Sequence, residues 1–217
     1  MTLQKKPIRS FVVRQGRMSD RQRRALAELW DQYVIELPEE PFAATDCFDT
    51  DQPLTIEIGF GMGDSLVEMA SLYPHKNFIG IEVHRPGIGH LLAEASKKNL
   101  SNLKVIANDS MVVLNRLKPC QVSCLQIFFP DPWPKRRHHK RRLINTRFLD
   151  LVFGCLKTGG VFHVATDWEP YGAEIRGLLD KDGRFEAVAV PGRVETKYER
   201  RGLGLGHKVM DIAVKLI

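Results

Sequence analysis

The stretch LTIEIGFGMGDSL, residues 54–66, decides the fold. Residues 54–58 are apolar or β-branched apart from Glu57, which is typical of a buried strand. Glycines follow at positions 59, 61 and 63, where they permit a tight turn and let a ligand approach the backbone closely. A helical pattern begins at Asp64. The stretch therefore predicts a strand, a ligand-facing turn and a helix in direct succession.

Outward from this stretch, the chain alternates short apolar runs with longer helical patterns. Such alternation is typical of a doubly wound α/β fold, a mostly parallel sheet with helices on both faces, and ligands bind such sheets at the carboxyl ends of the strands. The predicted strands are 54–58, 77–83, 103–107, 123–129, 160–166, 185–190 and 208–216, and the predicted helices are 64–72, 86–98, 110–117, 145–157 and 170–180.

A basic arm and one helix precede this unit. The arm runs to about Met18, and Ser19 and Asp20 are favourable N-cap residues for the helix. The residues that share its apolar face are Ala25, Leu26, Leu29, Trp30, Tyr33 and Val34. We divide the chain into residues 1–36, the arm and helix, and residues 37–217, a single globular domain.

The positive charge is concentrated in two places. Residues 1–24 carry eight Lys and Arg against one acid, Asp20, and residues 135–142, KRRHHKRR, carry six and no acid. The rest of the chain holds 18 basic and 25 acidic residues, although the whole has a net charge of +6. Two basic patches on an acidic body predict a polyanionic partner such as a phosphate backbone.

Composition narrows the class of protein. With 217 residues, 43% of them hydrophobic, the chain can bury the core of one domain, and it has no apolar run long enough to span a membrane. Scattered cysteines predict reduced core thiols and a cytoplasmic protein, and the pair His138 and His139 has no acid or thiol cluster to complete a metal site. The cysteines are Cys47, Cys120, Cys124 and Cys155.

Acidic side chains end successive predicted strands. Glu82 ends the second strand, where a carboxylate can accept hydrogen bonds from ribose hydroxyls, and Asp109 follows the third, where an acceptor can meet the amino group of adenine. The turn after Glu57 holds no basic residue for a pyrophosphate. S-adenosylmethionine carries a sulfonium cation and no phosphate, so this pattern favours it. A nicotinamide-dependent reductase remains the alternative, although its third glycine would stand at position 64.

The fourth predicted strand leads into Pro130-Asp131-Pro132-Trp133. The flanking prolines stiffen the backbone, so Asp131 is expected to be a rigid carboxylate beside the methyl group, able to bind the Watson–Crick edge of guanine. Trp133 has two interpretations, a base-stacking platform or an anchor under the loop. Asp167, after the fifth strand, and the segment 195–202 add polar groups that can line a base pocket.

At these residues the chain resembles the bacterial tRNA (guanine-N(7)-)-methyltransferase family. The motifs that carry the resemblance are SFVVRQGRMS, EIGFGMGDSL, GIEVHRPGIGHLL, FPDPWPKRRHHKRRL, TDWEPY and ETKYERRGLGLGHKVMD. The resemblance implies a seven-stranded sheet with an antiparallel last strand. It also implies methyl transfer from S-adenosyl-L-methionine, leaving S-adenosyl-L-homocysteine, to the guanine of the tRNA variable loop, without a metal.

The resemblance also assigns residues to the two ligands. The cofactor acids fall on Glu57, Glu82, Asp109 and Asp131, to which the turn itself adds Gly59, Gly61 and Gly63. The tRNA residues are Lys135, Arg137, His138, His139, Lys140, Arg141, Arg142, Asp167, Thr196, Lys197, Tyr198 and Glu199.

We hypothesise that Asp131 is the catalytic residue, because guanine N7 has no proton to remove and needs only placement and charge compensation. A non-catalytic RNA-binding module would explain the basic patches but not the row of acids. Residue chemistry alone leaves a guanine of ribosomal RNA or of an mRNA cap as a second substrate class. It also leaves the choice between monomer and homodimer open.

Overall fold

The computed structural model describes residues 10–11, 16–196, 199 and 208–217. Its strands are β1 Leu54–Ile58, β2 Asn77–Ile81, β3 Leu103–Ile106, β4 Val122–Phe128, β5 Leu156–Thr166, β6 Phe185–Ala187 and β7 Met210–Leu216. Its α-helices are α1 Asp20–Glu28, α2 Trp30–Tyr33, α3 Asp64–Leu72, α4 Arg85–Lys97, α5 Ser110–Arg116, α6 Thr146–Cys155 and α7 Glu169–Leu179. Two 3-10 helices, Ala44–Cys47 and Arg136–Arg141, complete the described elements.

All seven strands form one sheet in the order β3-β2-β1-β4-β5-β7-β6. Strand β7 is antiparallel to β5 and β6, and the other neighbouring strands are parallel. The predicted doubly wound sheet is confirmed, as is the antiparallel last strand that the family resemblance implied. The strand order reverses between β1 and β4, and this reversal opens a ligand crevice at the carboxyl ends of both strands.

Helices cover the two faces with separate cores. Helices α1, α3 and α4 bury apolar side chains against one face, and Leu66 and Leu91 there are fully buried. Helices α5, α6 and α7 cover the other face around Phe148 and Ile175. Burial on both faces explains why the central strands are continuous apolar runs rather than alternating patterns.

The N-terminal helix is shorter than predicted. A capping box between Ser19 and Gln22 starts α1 as expected, but the helix ends at Glu28 and one further turn, α2, ends at Tyr33. Val34 then forms a parallel bridge with Val105 of β3. Placing Val34 on the helix was therefore wrong, because pairing with the sheet edge competes with the helix at this point. The division of the chain after residue 36 stays a prediction.

The strand boundaries that differ most from the predictions are the start of β5 and the end of β6. Strand β5 starts at Leu156, directly after α6, and its register against β4 shifts before Val161, where Gly159 has a φ of 75°. Strand β6 stops at Ala187, since it lies at the sheet edge and pairs only with β7. All four cysteines are free thiols, but Cys120 is exposed, so the prediction of core thiols fails there.

The close approach of α3 and α4 gives a stability prediction. A Cβ at Gly63, whose φ is 80°, would lie 2.6 Å from Cδ1 of the buried Leu91. We expect Gly63→Ala to lower the free energy of unfolding by roughly 2–4 kcal/mol, from the left-handed backbone and overpacking together. The matched control is Gly177→Ala in α7, where a Cβ meets nothing within 4 Å. Urea unfolding should show that control unchanged or more stable by up to about 1 kcal/mol, and equal losses would contradict the prediction.

Candidate active site at the carboxyl edge

The glycine turn has an open side. Gly59, Gly61 and Gly63 have φ values of 74°, 60° and 80°, a conformation that other residues adopt only under strain. The amide of Gly59 donates to the carbonyl of Ile81 at 2.9 Å, which fixes the turn to β2. A Cβ on Gly59 would meet nothing within 4 Å. The turn is thus held from behind and leaves space in front of its backbone.

Glu82 holds the same turn from the end of β2. Its Oε2 accepts a hydrogen bond from the amide of Gly61 at 2.9 Å. Its Oε1 accepts from the amides of Val83 and His84 at 2.7 and 3.0 Å. A carboxylate has about four acceptor sites, so about one remains for a ligand hydroxyl. The sequence predicted a ligand contact here and did not predict this support of the backbone.

Glu57 is a buried carboxyl group in the middle of the sheet. It is 2% exposed, and Gln126 Nε2 on the adjacent β4 donates to its Oε2 at 2.8 Å. Burial raises the pKa of Glu57 to about 7, while the bond from Gln126 opposes the shift and the neighbouring Glu82 adds to it. A buried acid of this kind is stabilised in its charged form by a bound cation.

Asp109 lies at the N-terminus of α5, beyond β3. Its Oδ1 accepts from the amide of Met111 at 2.9 Å, so it caps the helix as well as flanking the crevice. Beside it, a cavity of about 310 Å³ is lined at the strand ends by Val83, Ile106 and Asn108 and on another side by Trp30 and residues 34–37. Apolar side chains together with a few polar groups, here Asn108, Glu36 and Arg85, suit a purine ring and its amino group.

The Asp131 loop, residues 129–133, is held by hydrogen bonds at both ends. Phe129, with a φ of 54°, donates its amide to the carbonyl of Ala165 at 2.7 Å, and Trp133 has a φ of 44°. The Arg142 guanidinium donates through Nε to the carbonyl of Pro132 at 2.9 Å. Positive φ values at two bulky residues mark stored strain, which persists only where the surroundings fix the backbone. Asp131 itself is exposed at the head of this braced loop.

Trp133 is occupied by contacts within the protein. Its indole Nε1 donates to the carbonyl of Ser10 at 3.0 Å. The Arg141 guanidinium lies 4.8 Å from its ring centroid, and the His138 ring meets it edge-on at 5.8 Å. Of the two interpretations of Trp133, these contacts favour the anchor under the loop over the base platform.

The basic run forms an exposed 3-10 helix with one exception. Lys135, Arg137 and Lys140 are exposed, and His138, His139 and Arg141 are partly so. Partial desolvation and the cations of the run lower the pKa of His138. Arg142 is only 4% exposed, pairs with Glu174 and lies 4.8 Å over the Tyr171 ring. Its place among the predicted RNA contacts is corrected, because its guanidinium belongs to the framework of the loop.

A buried ion cluster, which the sequence analysis missed, lies beneath this loop. Arg193 donates to Glu199, with Nη2 to Oε1 at 2.7 Å, and to Asp211, with Nε to Oδ1 at 2.8 Å. His163 Nε2 lies 2.9 Å from the same Asp211 oxygen. Burial acts to raise the pKa of the Asp211 carboxyl group. The hydrogen bonds from His163 and Arg193 outweigh burial, so the pKa of Asp211 is lowered. The sequence signal was Thr196-x-x-Glu199, a capping box in which each residue bonds the other.

The fold thus gathers most of the predicted residues at one edge. The glycine turn, Glu82, Asp109 and Asp131 follow β1, β2, β3 and β4, and Asp167 follows β5 as an exposed residue. Glu199 is linked to this edge by its ion pair with Arg193. The Arg193 guanidinium lies 5.2 and 5.9 Å from the ring centroids of Phe128 and Phe129, at the end of β4. The predicted contacts Lys197 and Tyr198 lie outside the described residues.

Comparisons with known proteins agree on one family. A family model described as "Putative methyltransferase" matches residues 51–212. The tRNA (guanine-N(7)-)-methyltransferase of Nitrosococcus oceani is 45% identical over 99% of this chain and 93% of its own. Those of Pectobacterium atrosepticum and Nitrosomonas europaea are each 46% identical, covering 97% and 95% of this chain and 92% and 95% of theirs. The chain belongs to the tRNA (guanine-N(7)-)-methyltransferase family. The resemblance seen in the sequence motifs is confirmed.

Solved structures place this family member among methyltransferase folds. The aminoglycoside resistance methyltransferase NpmB1 superposes with a TM-score of 0.57 at 16% identity, covering 79% of this chain and 91% of its own. The 16S rRNA (adenine(1408)-N(1))-methyltransferase of Catenulisporales acidiphilia gives 0.56 at 17% identity, covering 80% and 88%. At such identities the likeness concerns the fold alone.

The described part of the chain has neither a candidate membrane-spanning helix nor a candidate metal cluster. Across residues 10–11, 16–196, 199 and 208–217, no helix has the length and apolar character needed to cross a membrane. The same residues contain no group of three or more His, Cys, Asp or Glu side chains arranged to hold a metal ion.

The raised pKa of Glu57 predicts a pH dependence of stability. Below about pH 4.5 its carboxyl group is protonated in folded and unfolded chains alike. Between there and about pH 7 the unfolded chain ionises first, so the folded state loses up to about 3 kcal/mol. We expect Glu57→Gln to gain stability over wild type across this range, measured by urea unfolding of the ligand-free protein.

The control for this prediction is Glu68→Gln, at an exposed position of α3. Its stability difference from wild type should be constant between pH 4.5 and 7.5. A constant difference for Glu57→Gln as well would mean that the fold does not penalise the ionised form of Glu57.

Proposed function

We propose that this chain transfers a methyl group from S-adenosyl-L-methionine to N7 of a guanine in the variable loop of tRNA, forming 7-methylguanosine. The observation that carries the proposal is the meeting of two features at one sheet edge. A glycine turn surrounded by carboxylates lies beside an Asp131 loop that continues into an exposed basic helix. Relatives at 45–46% identity that are named tRNA (guanine-N(7)-)-methyltransferases support the same reaction.

The crevice fits S-adenosyl-L-methionine in shape and charge. The open face of Gly59 accepts a ligand against the backbone, and the cavity beyond β2 and β3 suits adenine. Buried Glu57 suits a cationic ligand, whereas its position next to Glu82 disfavours a pyrophosphate. The residues that would hold the cofactor are Glu57, Gly59, Gly61, Gly63, Glu82, Asp109 and Asp131. When bound, the cofactor supplies a methyl group already activated by its sulfonium charge.

Asp131 supplies a fixed carboxylate at the place of reaction. Guanine N7 carries a free lone pair, so the protein needs to orient the base and compensate the positive charge that the ring acquires. The braces on Phe129 and Pro132 hold the Asp131 backbone before the substrate arrives. Because the carboxylate is already in place, the loop does not have to rearrange during methyl transfer, and the activation free energy is lower. This explains the use of a strained loop at this position.

The remaining predicted contacts divide between the base and the backbone of the RNA. Thr196 and Glu199, bonded to each other, and Asp167 suit the base pocket, and Lys197 and Tyr198 between them are proposed as further contacts. The phosphate contacts are proposed on the exposed side of the basic helix, at Lys135, Arg137, His138, His139, Lys140 and Arg141. Because tRNA is the proposed substrate, we place the protein in the cytoplasm.

Methyl transfer to unmodified tRNA tests the proposal. Purified protein is incubated with labelled S-adenosyl-L-methionine and tRNA transcripts, and the nucleosides are then separated. We expect 7-methylguanosine, and we expect it to disappear when the variable-loop guanine is replaced by adenine. Label in a ribosomal RNA transcript instead would move the activity to another RNA. No binding of S-adenosyl-L-homocysteine would remove the cofactor assignment as well.

Asp131→Asn tests the electrostatic role, because it keeps the shape of the side chain and removes its charge. We expect single-turnover transfer to fall by about 100-fold or more, consistent with loss of a preorganised charge at the reacting centre. The control is Asp180→Asn, exposed at the C-terminal end of α7 on the opposite edge of the sheet. That variant should transfer methyl groups at the wild-type rate. A rate for Asp131→Asn close to that of the control would exclude the charge as a catalytic factor.

Two arginines of the basic run are expected to behave differently. Arg137→Ala should weaken tRNA binding and reduce the slope of log affinity against log salt by about one, leaving the melting temperature unchanged. Arg142→Ala should lower stability by about 1–3 kcal/mol, because it removes the bond to Pro132 and the partner of Glu174. Filter binding at several salt concentrations and thermal melting separate the two effects. If Arg137→Ala also weakened S-adenosyl-L-homocysteine binding, the run would be structural instead.

A further inference from the structure

Arg193 touches both walls of the proposed guanine pocket. On one side its guanidinium lies over the rings of Phe128 and Phe129, 5.2 and 5.9 Å from their centroids. Phe129 is the strained residue that starts the Asp131 loop. On the other side the guanidinium pairs with Glu199, whose partner is Thr196. A single side chain therefore joins the loop after β4 to the segment before β7.

The charges in this contact cannot separate without cost. The Arg193 side chain is 9% exposed and faces two carboxylates, Glu199 at 8% and Asp211 at 25% side-chain exposure. Bonds to those carboxylates outweigh the effect of burial and raise the pKa of Arg193, so it is always charged. Removing the guanidinium would leave Glu199 buried with no cation, which is strongly unfavourable. Glu199 would then move toward water.

We propose that Arg193 is a positioning residue that fixes Glu199, and through it Thr196, against the Asp131 loop and so sets the width of the guanine pocket. This inference rests on the proposed function of both walls. The N–H groups of Arg193 donate to Glu199 and Asp211, and its guanidinium lies over the rings of Phe128 and Phe129. Arg193 therefore acts on the substrate only through these neighbours. Small errors in the placement of a reacting base are costly, and an error of about 1 Å can reduce the rate by about 100-fold.

The arrangement requires a guanidinium and not merely a positive charge. Arg193 uses Nε, Nη1 and Nη2 in one plane to reach two carboxylates while its Cζ lies 5.2 Å from the centroid of the Phe128 ring. A lysine ammonium offers neither the planar fork nor the stacking surface. Arg193→Lys is therefore expected to keep the charge of the cluster and lose its geometry.

The chain contains a matched control at the opposite edge of the sheet. Arg184 bonds Asp182 through two nitrogens, at 2.7 and 2.6 Å, and pairs with Asp150 at 3.0 Å. Its guanidinium lies over Phe153 and Phe185 at 4.8 and 5.9 Å. This site repeats the chemistry of Arg193 at the start of β6, away from the crevice.

The experiment compares Arg193→Met, Arg193→Lys and Arg184→Met with wild type. Single-turnover methyl transfer is measured with saturating tRNA and cofactor, well below every melting temperature, and S-adenosyl-L-homocysteine affinity is measured by calorimetry. We expect the transfer rate to fall by about 100-fold in Arg193→Met and by at least about tenfold in Arg193→Lys. The affinity should stay within about threefold of wild type, and Arg184→Met should transfer at close to the wild-type rate.

The outcomes separate this inference from the proposed function. Wild-type protein that forms no 7-methylguanosine would refute the proposed function before Arg193 is considered. With active wild type, a rate for Arg193→Met within about threefold of wild type would overturn the positioning role. Equal losses in Arg193→Met and Arg184→Met, or a parallel loss of S-adenosyl-L-homocysteine affinity, would also overturn it, since the effect would then be general destabilisation. If Arg193→Met does not fold, the same comparison is decided by Arg193→Lys.

Discussion

The parallel pairing of β1 with β4 is the contact on which the site depends. Strands β2 and β3 lie on one side of β1, whereas β4 and the later strands lie on the other, so the connections that leave β1 and β4 diverge. The glycine turn follows Ile58, and the Asp131 loop follows Phe128. Because Ile58 is in register with Ile127, both connections start at the same height and form the two sides of one crevice.

The same pairing brings a row of polar groups into the core. Glu57 of β1 is in register with Gln126 of β4, and Gln126 is in register with His163 of β5. His163 then bonds Asp211 of β7, which bonds Arg193. Apolar side chains at these positions would stabilise the sheet more, since each buried polar group must recover its lost hydration. A row that ends at both walls of the crevice is understandable as a functional compromise.

The sequence predicted the parts of the structure that depend on local patterns. Apolar runs located every strand, and the acids at the strand ends followed from the rule that parallel strands meet at one edge. The contacts that the sequence left open or missed join distant residues. Trp133 is paired with the carbonyl of Ser10, and Arg142 with Glu174, and neither spacing produces a periodic pattern. Arg193 was missed for the same reason, because its partner Asp211 lies 18 residues further along the chain, on β7.

These distant anchors explain how a run of cations can be an ordered surface. The 3-10 helix Arg136–Arg141 buries none of its residues, so its own packing cannot hold it. It is held by Trp133 before it and by Arg142 after it, both tied into the fold. The cations thus stay beside a crevice lined by Glu57, Glu82 and Asp131. Under the proposed function, such a field would attract an RNA backbone to the helix and repel it from the crevice, so that a neutral base would be the part of the RNA that enters.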